Sequence, residues 1–535
     1  MVSSRRARVA LLDCAAGANS GSGMMEPAVI DSLDLYLLGG AAVLLAAVVA
    51  VRVASRVGLP GLLAFLLVGL ALGEAGLGVR FDDEHLTQTL GYAALAVILA
   101  EGGLTTRWHD IRPVLGLATA LSTVGVVASV AAVAACVHLA LGLDWRVSVL
   151  VGAVVSSTDA AAVFSVLRRL PLRPRLSSTL EAESGFNDPP TVILVTVVAS
   201  DAWENATPWT VGGLVGYELL VGALVGLAVG YAGQWLLNRV ALPASGLYPV
   251  TAIAITMFGF GAAGLLHASG FLAAYIAGLV LGNASLPHRN ATLGFAEGLA
   301  WVAQIGLFVL LGLLASPARL GDALVPALLV GVALLLVGRP LSVLIAAAGF
   351  RLPWREQAFL SWAGLRGAVP IVLATIPTVA PLHGRARLFD VVFLLVLLFT
   401  AVQAPTLPWV ARRLRVTAPD EARNIVVEAA PLDELRADLL AVVISPRSRL
   451  AGVWVSDLRL PDGAVVTLLV RAGRSTVPDE HTRFQVGDQF LVVTTTADRR
   501  ATERRLRAVS RAGQLARWWG EHGGDVPARG RDRHD

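Results

Sequence analysis

Apolar runs of bilayer length alternate with short polar connections over the first four-fifths of the chain. A helix needs about 20 predominantly apolar residues to cross the hydrocarbon core of a membrane. The pattern predicts about thirteen such spans, at residues 33–51, 58–76, 89–104, 113–140, 146–167, 178–200, 211–237, 247–266, 269–283, 296–315, 324–349, 357–378 and 388–410. We therefore expect a polytopic all-α membrane protein.

The pattern changes after Arg415. Residues 424–508 alternate apolar and polar positions as strands do, with turn signals at Pro461-Asp462-Gly463 and Gly487-Asp488. This stretch predicts a small α/β domain outside the membrane. We divide the chain into a tail at 1–29, a membrane domain at 30–412, this module at 424–508 and a disordered tail at 509–535. Met24 and Met25 are alternative starts, so the first tail is given no function.

Composition agrees with the pattern, since 55% of the residues are hydrophobic, only 15% are charged, and the mean hydropathy is +0.68. Soluble domains carry about a quarter charged residues. The chain has no lysine, so its 43 basic residues are all arginine.

Arginines in the connections predict the orientation, because positive residues concentrate on the cytoplasmic side. An external N-terminus places fifteen of them inside and five outside. The inner ones are Arg52, Arg56, Arg107, Arg112, Arg168, Arg169, Arg173, Arg175, Arg239, Arg289, Arg351, Arg355, Arg412, Arg413 and Arg415, and the outer ones are Arg80, Arg146, Arg319, Arg385 and Arg387. We expect a multi-pass protein of a bacterial cell membrane, with the C-terminal module in the cytoplasm.

Polar residues interrupt four spans. They are the segments 156–159 (SSTD) in the fifth, 183–188 (ESGFND) in the sixth, 338–340 (GRP) in the eleventh and 364–370 (GLRGAVP) in the twelfth. With the seventh span set aside as a linker, the fifth and twelfth are each the fifth of a set of six. Interruptions at matching places of two halves indicate inverted repeats and a transporter's binding site near the membrane midplane.

The segment ESGFND carries the chemistry of this predicted site. On a helix, Glu183 and Asn187 share one face, while Asp188 is turned by about 100° from Asn187. A buried carboxylate without a charged partner favours the neutral form. Asp188 can thus hold a proton or a cation, but not both, and this competition is the basis of antiport.

The four segments SSTDAAAV, ESGFND, GRP and GLRGAVPIVLAT, in this order along the chain, resemble the signatures of the monovalent cation/proton antiporter superfamily, most closely its bacterial NhaP-type branch. The resemblance covers about residues 30–412. It implies a secondary active antiporter that exchanges a monovalent cation for H+, with a role in cation and pH homeostasis. It also implies a homodimer in the lipid bilayer.

The resemblance also implies roles for single residues. Asp188 is the exchanging carboxylate, and Asn187 is the asparagine typical of electroneutral members. Glu183 and Ser184 shape the site, and Arg339 is the buried partner of Glu183. Thr158 offers an oxygen to the cation, while Asp159 and Arg366 compensate the free helix ends. Many relatives have Thr-Asp-Pro at this break where this chain has Thr158-Asp159-Ala160, so the backbone opening there can differ.

The segment 458–493 resembles the TrkA-C regulatory domain of potassium transporters. This favours K+ over Na+ as the exchanged cation, although both are hard cations that bind oxygen and the ligands do not separate them. In a dimer, two modules can form a shared cleft in which Arg471, Arg474 or His481 binds an anionic ligand such as a nucleotide.

Other interpretations stay open at this point. Glu183 with Arg339 can be a structural pair, and Thr158 and Asp159 can be helix caps. A sodium/proton antiporter of the same fold is the first alternative. A cation channel would need a carbonyl-filter motif, which the sequence does not contain. A membrane-embedded enzyme would need a convergent nucleophile and base, for which Ser184 next to an acid is weak evidence. We expect no enzyme activity, no cofactor, no metal centre beyond the transported cation, and no nucleic-acid binding.

Overall fold

The computed structural model describes residues 27–57, 59–74, 76–79, 83–159, 172–205, 207–376, 386–417, 425–432, 437–446, 448–495, 497–513 and 516. Parts of several predictions fall outside these residues. They are the two terminal tails over 1–26 and 517–535, the second half of the fifth span at 160–167, the end of the twelfth span at 377–378, and the connection residues Arg80, Arg168, Arg169 and Arg385.

The secondary structure of the described part of the membrane domain is almost entirely helical, as the sequence predicts. Its helices are α1 (Pro27–Val57), α2 (Gly61–Leu72), α3 (Glu84–Thr105), α4 (Trp108–Leu141), α5 (Trp145–Ser156), α6 (Pro174–Ala199), α7 (Pro208–Arg239), α8 (Leu247–Leu265), α9 (Gly270–Asn283), α10 (Arg289–Leu314), α11 (Pro317–Ala347), α12 (Trp354–Ala363), α13 (Ala368–Leu373) and α14 (Ala386–Leu414). Each predicted span falls on one of these helices, and the twelfth falls on two. Seven of the described helices are long and apolar enough to cross a membrane by themselves.

The helix ends follow local capping chemistry. Asp83 accepts a hydrogen bond from the main-chain N–H of Leu86 at the start of α3. Thr207 forms a capping box with Thr210 at the start of α7. Gly142 ends α4 in the left-handed region, with φ of 63°, which a residue without Cβ adopts at little cost.

Contacts between connections support the order of the spans. The guanidinium of Arg146 donates to the carbonyls of Val198 and Ser200, across two predicted spans. The hydroxyl of Ser316 donates to Glu74 across eight spans. In each case the number of spans between the partners is even, which places both partners at the same membrane face.

Two π-helical turns occupy matching places in the two halves. One lies at Leu121–Gly125 within α4, and the other lies at Leu334–Gly338 within α11. The fourth and eleventh spans are each the fourth of a set of six, when the seventh span is set aside. A π turn inserts an extra residue into a helix and often marks a functional site. This correspondence extends the predicted repeat beyond the two interrupted spans.

The C-terminal module contains a five-stranded antiparallel sheet. Its strands are β1 (Ile425–Leu432), β2 (Ala437–Ile444), β3 (Ala464–Arg471), β4 (Arg474–Thr476) and β5 (Gln489–Thr495), in the order β1-β2-β5-β3-β4. Helix α15 (Arg499–Ala512) follows and ends four residues beyond the predicted module, so residues 509–512 are helical and not part of a disordered tail as predicted. The core joins the sheet to α15 through buried side chains such as Leu440, Phe490, Val492 and Leu506. The predicted strand and helix composition is confirmed, and the strand pairing is antiparallel throughout.

Candidate functional site

The two interrupted spans meet at their breaks. Helix α5 ends at Ser156, and the chain continues in extended form through Ser157. The main-chain N–H of Asp159 donates to the carbonyl of Leu365, between α12 and α13, at 2.9 Å. A Cβ placed on Gly367 would collide with the carboxylate of Asp159. Only glycine allows this approach, so Asp159 lies directly beside the start of α13.

Asp188 lies on α6 next to the extended segment of the fifth span. Its side chain is buried, and the residue is 6% exposed. The hydroxyl of Ser157 donates to its Oδ1 at 2.5 Å. Among the described residues, no arginine or histidine forms an ion pair with Asp188. In the described part of the chain, this buried carboxylate is therefore supported by a neutral donor and by no ion pair.

Neighbouring polar groups tie α6 to the same segment. Nδ2 of Asn187 donates to Oγ1 of Thr158, and the hydroxyl of Ser184 donates to the carbonyl of Thr158, both at 2.5 Å. Oδ1 of Asn187 is buried and accepts no hydrogen bond from the described part of the chain. Thr158, Ser184, Asn187 and Asp188 thus form one continuous polar cluster inside the membrane domain.

Glu183 belongs to a separate buried pair. Both terminal nitrogens of Arg339 donate to its carboxylate, Nη2 to Oε2 at 2.9 Å and Nη1 to Oε1. Nη2 also donates to the carbonyl of Leu360 on α12 at 3.2 Å. The hydroxyl of Ser122, in the π turn of α4, donates to the main-chain carbonyl of Glu183. The pair therefore joins α6, α11 and α12, and the charge of Glu183 is neutralised.

Arg366 lies at the other side of the crossing. It is buried, and its Nη1 donates to the carbonyl of Gly364, at the end of α12, at 3.2 Å. Its own carbonyl accepts from the hydroxyl of Thr400 on α14. A positive charge beside the free carbonyls of a helix end is favourable. Asp159 at the start of α13 and Arg366 at the end of α12 both occupy the positions that such compensation requires.

Three further residues at this site were not among the sequence-based candidates. Ser157 contacts Asp188 directly, as described above. Pro189 and Pro190 follow Asp188 inside α6 and supply no N–H, which frees the carbonyls one turn earlier, at Gly185 and Phe186. Carbonyl oxygens are ligands for hard cations. The dipeptide Pro189-Pro190 within an apolar run was the sequence signal for this opening.

The module's three candidate residues are placed differently from one another. Arg471 donates to both oxygens of Asp488 at 2.8 Å, and this interaction raises the pKa of the Arg471 guanidinium. Arg474 lies opposite Arg471 in the β3–β4 hairpin and is exposed, as is His481. Arg471 also donates to the carbonyl of Arg483, so the loop with His481 lies beside this hairpin. Arg471 is thereby occupied by an internal partner.

Interrupted helices that cross at their breaks, with buried acids beside them, define a secondary membrane transporter. Residues 43–413 match the family described as sodium/hydrogen exchanger, transmembrane, and the chain belongs to this family. Residues 439–507 match the TrkA-C domain. Both family resemblances expected from the sequence are confirmed.

Similar proteins include two potassium/proton antiporters. The chain is 35% identical to the K(+)/H(+) antiporter NhaP of Alkalimonas amylolytica over 478 residues, which is 88% of this chain and 83% of that protein. It is 36% identical to the K(+)/H(+) antiporter NhaP2 of Shewanella sp. (strain ANA-3), over 86% of this chain and 82% of that one. The sodium proton antiporter MjNhaP1 from Methanocaldococcus jannaschii has a similar fold, with a TM-score of 0.62 at 22% identity. That match covers 71% of this chain and 99% of the archaeal one.

Proposed function

We propose that this protein exchanges K+ for H+ across a bacterial cell membrane, with Asp188 as the exchanging group. The observation that carries the proposal is the buried Asp188 carboxylate, which has Ser157 as its hydrogen-bond donor and no ion-pair partner in the described part of the chain. A buried carboxylate needs a bound proton or a nearby cation to compensate its charge. The two ligands therefore exclude each other, which couples their movements in opposite directions.

The surrounding oxygens form the cation site in this proposal. Thr158 follows Ser157, the donor to Asp188, and contacts Ser184 and Asn187, while Oδ1 of Asn187 is buried without a described donor. Oxygen ligands of this kind suit alkali cations. Asp159 and Arg366 keep the free helix ends compensated whether Asp188 holds a proton or a cation.

Exchange is electroneutral in this proposal, one cation for one proton. Asn187, next to Asp188, is an uncharged amide that cannot exchange a second proton. Glu183 is the other buried carboxylate of α6, and Arg339 already neutralises it. A transport rate that depends strongly on an imposed membrane voltage would contradict this stoichiometry.

The preference for K+ rests on the relatives. Both antiporters at 35–36% identity are named for K+, and their matches cover more than four-fifths of each protein. The Na(+)/H(+) antiporter NhaS2 of Synechocystis sp. is 28% identical over 70% of this chain. Na+ exchange by the same site is therefore the second candidate.

We place the TrkA-C module in the cytoplasm, because the arginine bias puts the end of α14 inside. The proposed assembly is a homodimer in the bilayer. The modules of a dimer form a regulatory unit with an anionic ligand, a nucleotide for example, bound near Arg474 and His481. Arg471 holds Asp488, so it supports this surface rather than binding the ligand first.

Purified protein in sealed liposomes tests the function. Proton movement is followed with a pH-sensitive dye while Li+, Na+, K+ or Rb+ is added outside. The proposal expects proton efflux that saturates with K+ and needs less K+ than Na+. Half-saturation at a lower Na+ concentration would favour the second candidate, and movement without any cation dependence would contradict antiport.

A further inference from the structure

Arg173 connects three parts of the chain at one membrane face. It is the residue before the first turn of α6, where its carbonyl accepts from the N–H of Leu176 at 2.9 Å. Its side chain pairs with Glu356 in the first turn of α12, with Nη1 of Arg173 at 2.9 Å from Oε1 of Glu356. Its main-chain N–H donates to the carbonyl of Val416, just after α14. The cytoplasmic ends of α6, α12 and α14 are therefore joined through one residue.

Helices α6 and α12 both lead directly to the site. Asp188 lies fifteen residues after Arg173 on α6, and the break at Gly364 lies eight residues after Glu356. At about 1.5 Å per residue these distances are about 22 Å and 12 Å along the two axes. Deeper in the membrane domain, Arg339 joins the same two helices through Glu183 and Leu360. Two sets of polar contacts thus connect α6 with α12, and the Arg173–Glu356 pair is the one nearer the membrane face.

The Glu356 carboxylate depends on Arg173 for charge compensation. The Glu356 side chain is 7% exposed, and Arg173 is its only ion-pair partner in the described part of the chain. The Arg173 side chain is half exposed and reaches over the carboxylate from the solvent side. Without Arg173, a nearly buried carboxylate at the start of α12 has no compensating charge, which favours movement of α12 toward water.

The third contact leads toward the TrkA-C module. Leu172 and Thr417 form an antiparallel bridge, and Thr417 is the last described residue before the module begins at β1. The bond from Arg173 to Val416 belongs to the same bridge. If the segment after α14 moves, Arg173 is therefore the first residue to be displaced. This residue precedes α6 and pairs with α12 through Glu356.

We propose that Arg173 is a positioning residue for cation exchange, which sets α6 and its Asp188 against the break of α12 and attaches both to the chain that enters the module. This proposal rests on the antiport function proposed above. Arg173 touches neither the cation nor the proton; it acts through the two helices. The bridge between Leu172 and Thr417 is the point of attachment.

Charge variants of the full chain test the pair. The measured quantity is the half-saturating K+ concentration, and its restoration by the reversed pair is a result that lost stability alone does not produce. In liposomes, Arg173→Gln and Glu356→Gln should each raise the half-saturating K+ concentration by about threefold or more, within the range for partly exposed pairs. The reversed pair Arg173→Glu with Glu356→Arg should return to within about twofold of wild type. Arg175→Gln is the matched control, because it removes the same charge from an exposed position two residues away, in the first turn of α6. Half-saturation is expected to stay unchanged in this control.

The outcomes separate the two proposals. If the wild type shows no cation-dependent proton movement, the proposed function fails. If the wild type exchanges and Arg173→Gln behaves like Arg175→Gln, the positioning role is wrong. Single-variant effects that the reversed pair does not restore would also overturn it, since they would come from folding and not from the pair.

A reversible cross-link tests the attachment. Residues opposite each other in an antiparallel bridge lie within the Cα distance that a disulfide requires. Leu172→Cys with Thr417→Cys, in a chain with Cys14→Ser and Cys136→Ser, should form a disulfide on oxidation and keep wild-type half-saturation. Failure to cross-link, or a shift on oxidation that a reductant reverses, would overturn the attachment as proposed.

Discussion

The hydroxyl of Ser157 donates to Oδ1 of Asp188 at 2.5 Å, across the gap between the extended break of the fifth span and the middle of α6. Ser157 is fully buried, and the carboxylate it contacts is nearly so. A hydrogen bond from a hydroxyl to a carboxylate stabilises the charged form. In the proposed antiport, the contact keeps the carboxylate competent for a cation, and no ion-pair partner among the described residues competes with that cation.

The first prediction concerns Asp188 itself. Asp188→Asn should abolish exchange while the protein remains folded and inserted, because the amide keeps the shape of the side chain but cannot exchange a proton. The measurement is cation-driven proton movement in liposomes, normalised to the amount of protein reconstituted. Residual movement near the wild-type level would show that another group carries the proton.

The second prediction concerns its donor. Ser157→Ala should preserve exchange but raise the half-saturating cation concentration by about tenfold or more, since a hydrogen bond to a charged group contributes about 1.5–3 kcal/mol. Ser156→Ala, one residue earlier, is the matched control, because Ser156 bonds to Ser129 and to the carbonyl of Gly152, away from Asp188. Equal half-saturation in the two variants would argue against a role for the Ser157 contact.

Much of the fold follows from the sequence because the bilayer restricts the choices. A chain in lipid must satisfy its main-chain groups internally, so each apolar run of sufficient length becomes a helix. Polar residues inside such runs are costly, and their positions mark the site. For this reason the segments around Asp159, Asp188, Arg339 and Arg366 could be identified before any coordinates. The contact of Glu183 with Arg339 joins residues 156 positions apart and was expected through the family resemblance.

Other contacts could not be predicted, for physical reasons. Whether the hydroxyl of Ser156 or of Ser157 faces Asp188 depends on where α5 ends, and helix ends are the least certain part of any sequence pattern. The pair of Arg173 with Glu356 spans 183 positions between two connections that carry many charges. In the module, the sequence does not show that Arg471 has an ion-pair partner, because Asp488 belongs to another turn of the sheet.

The third prediction compares two variants of one buried pair. Arg339→Ala should destabilise the membrane domain more than Glu183→Gln does. Loss of the arginine leaves the Glu183 carboxylate buried and unpaired, which costs about 3–5 kcal/mol. The glutamine variant keeps a neutral acceptor for Arg339, and Arg339 keeps its bond to the carbonyl of Leu360. Thermal unfolding in detergent measures the difference, and equal melting temperatures for the two variants would contradict this prediction.

The fourth prediction concerns the TrkA-C module. Its core is small, and Arg474 and His481, the residues of the proposed ligand site, lie exposed near the β3–β4 hairpin. A regulatory domain must bind its ligand differently in two states of the transporter. Deleting residues from 420 onward should therefore leave cation-dependent proton movement intact but change its dependence on pH or on an added nucleotide. The deletion keeps Val416 and Thr417, so the contacts of Arg173 are retained.

A stabilising role for the module gives a different result. If the module only holds a dimer together, the truncated protein should show a weaker dimer by light scattering and the same activity curve. Arg474→Ala with His481→Ala in the full chain provides the matched comparison, because these exposed side chains make no ion pair among the described residues. Under the regulatory proposal this double variant reproduces the altered nucleotide dependence of the truncation without loss of the dimer. Identical curves for full-length, truncated and double-variant protein across pH, cation and nucleotide titrations would show that the module does not regulate exchange.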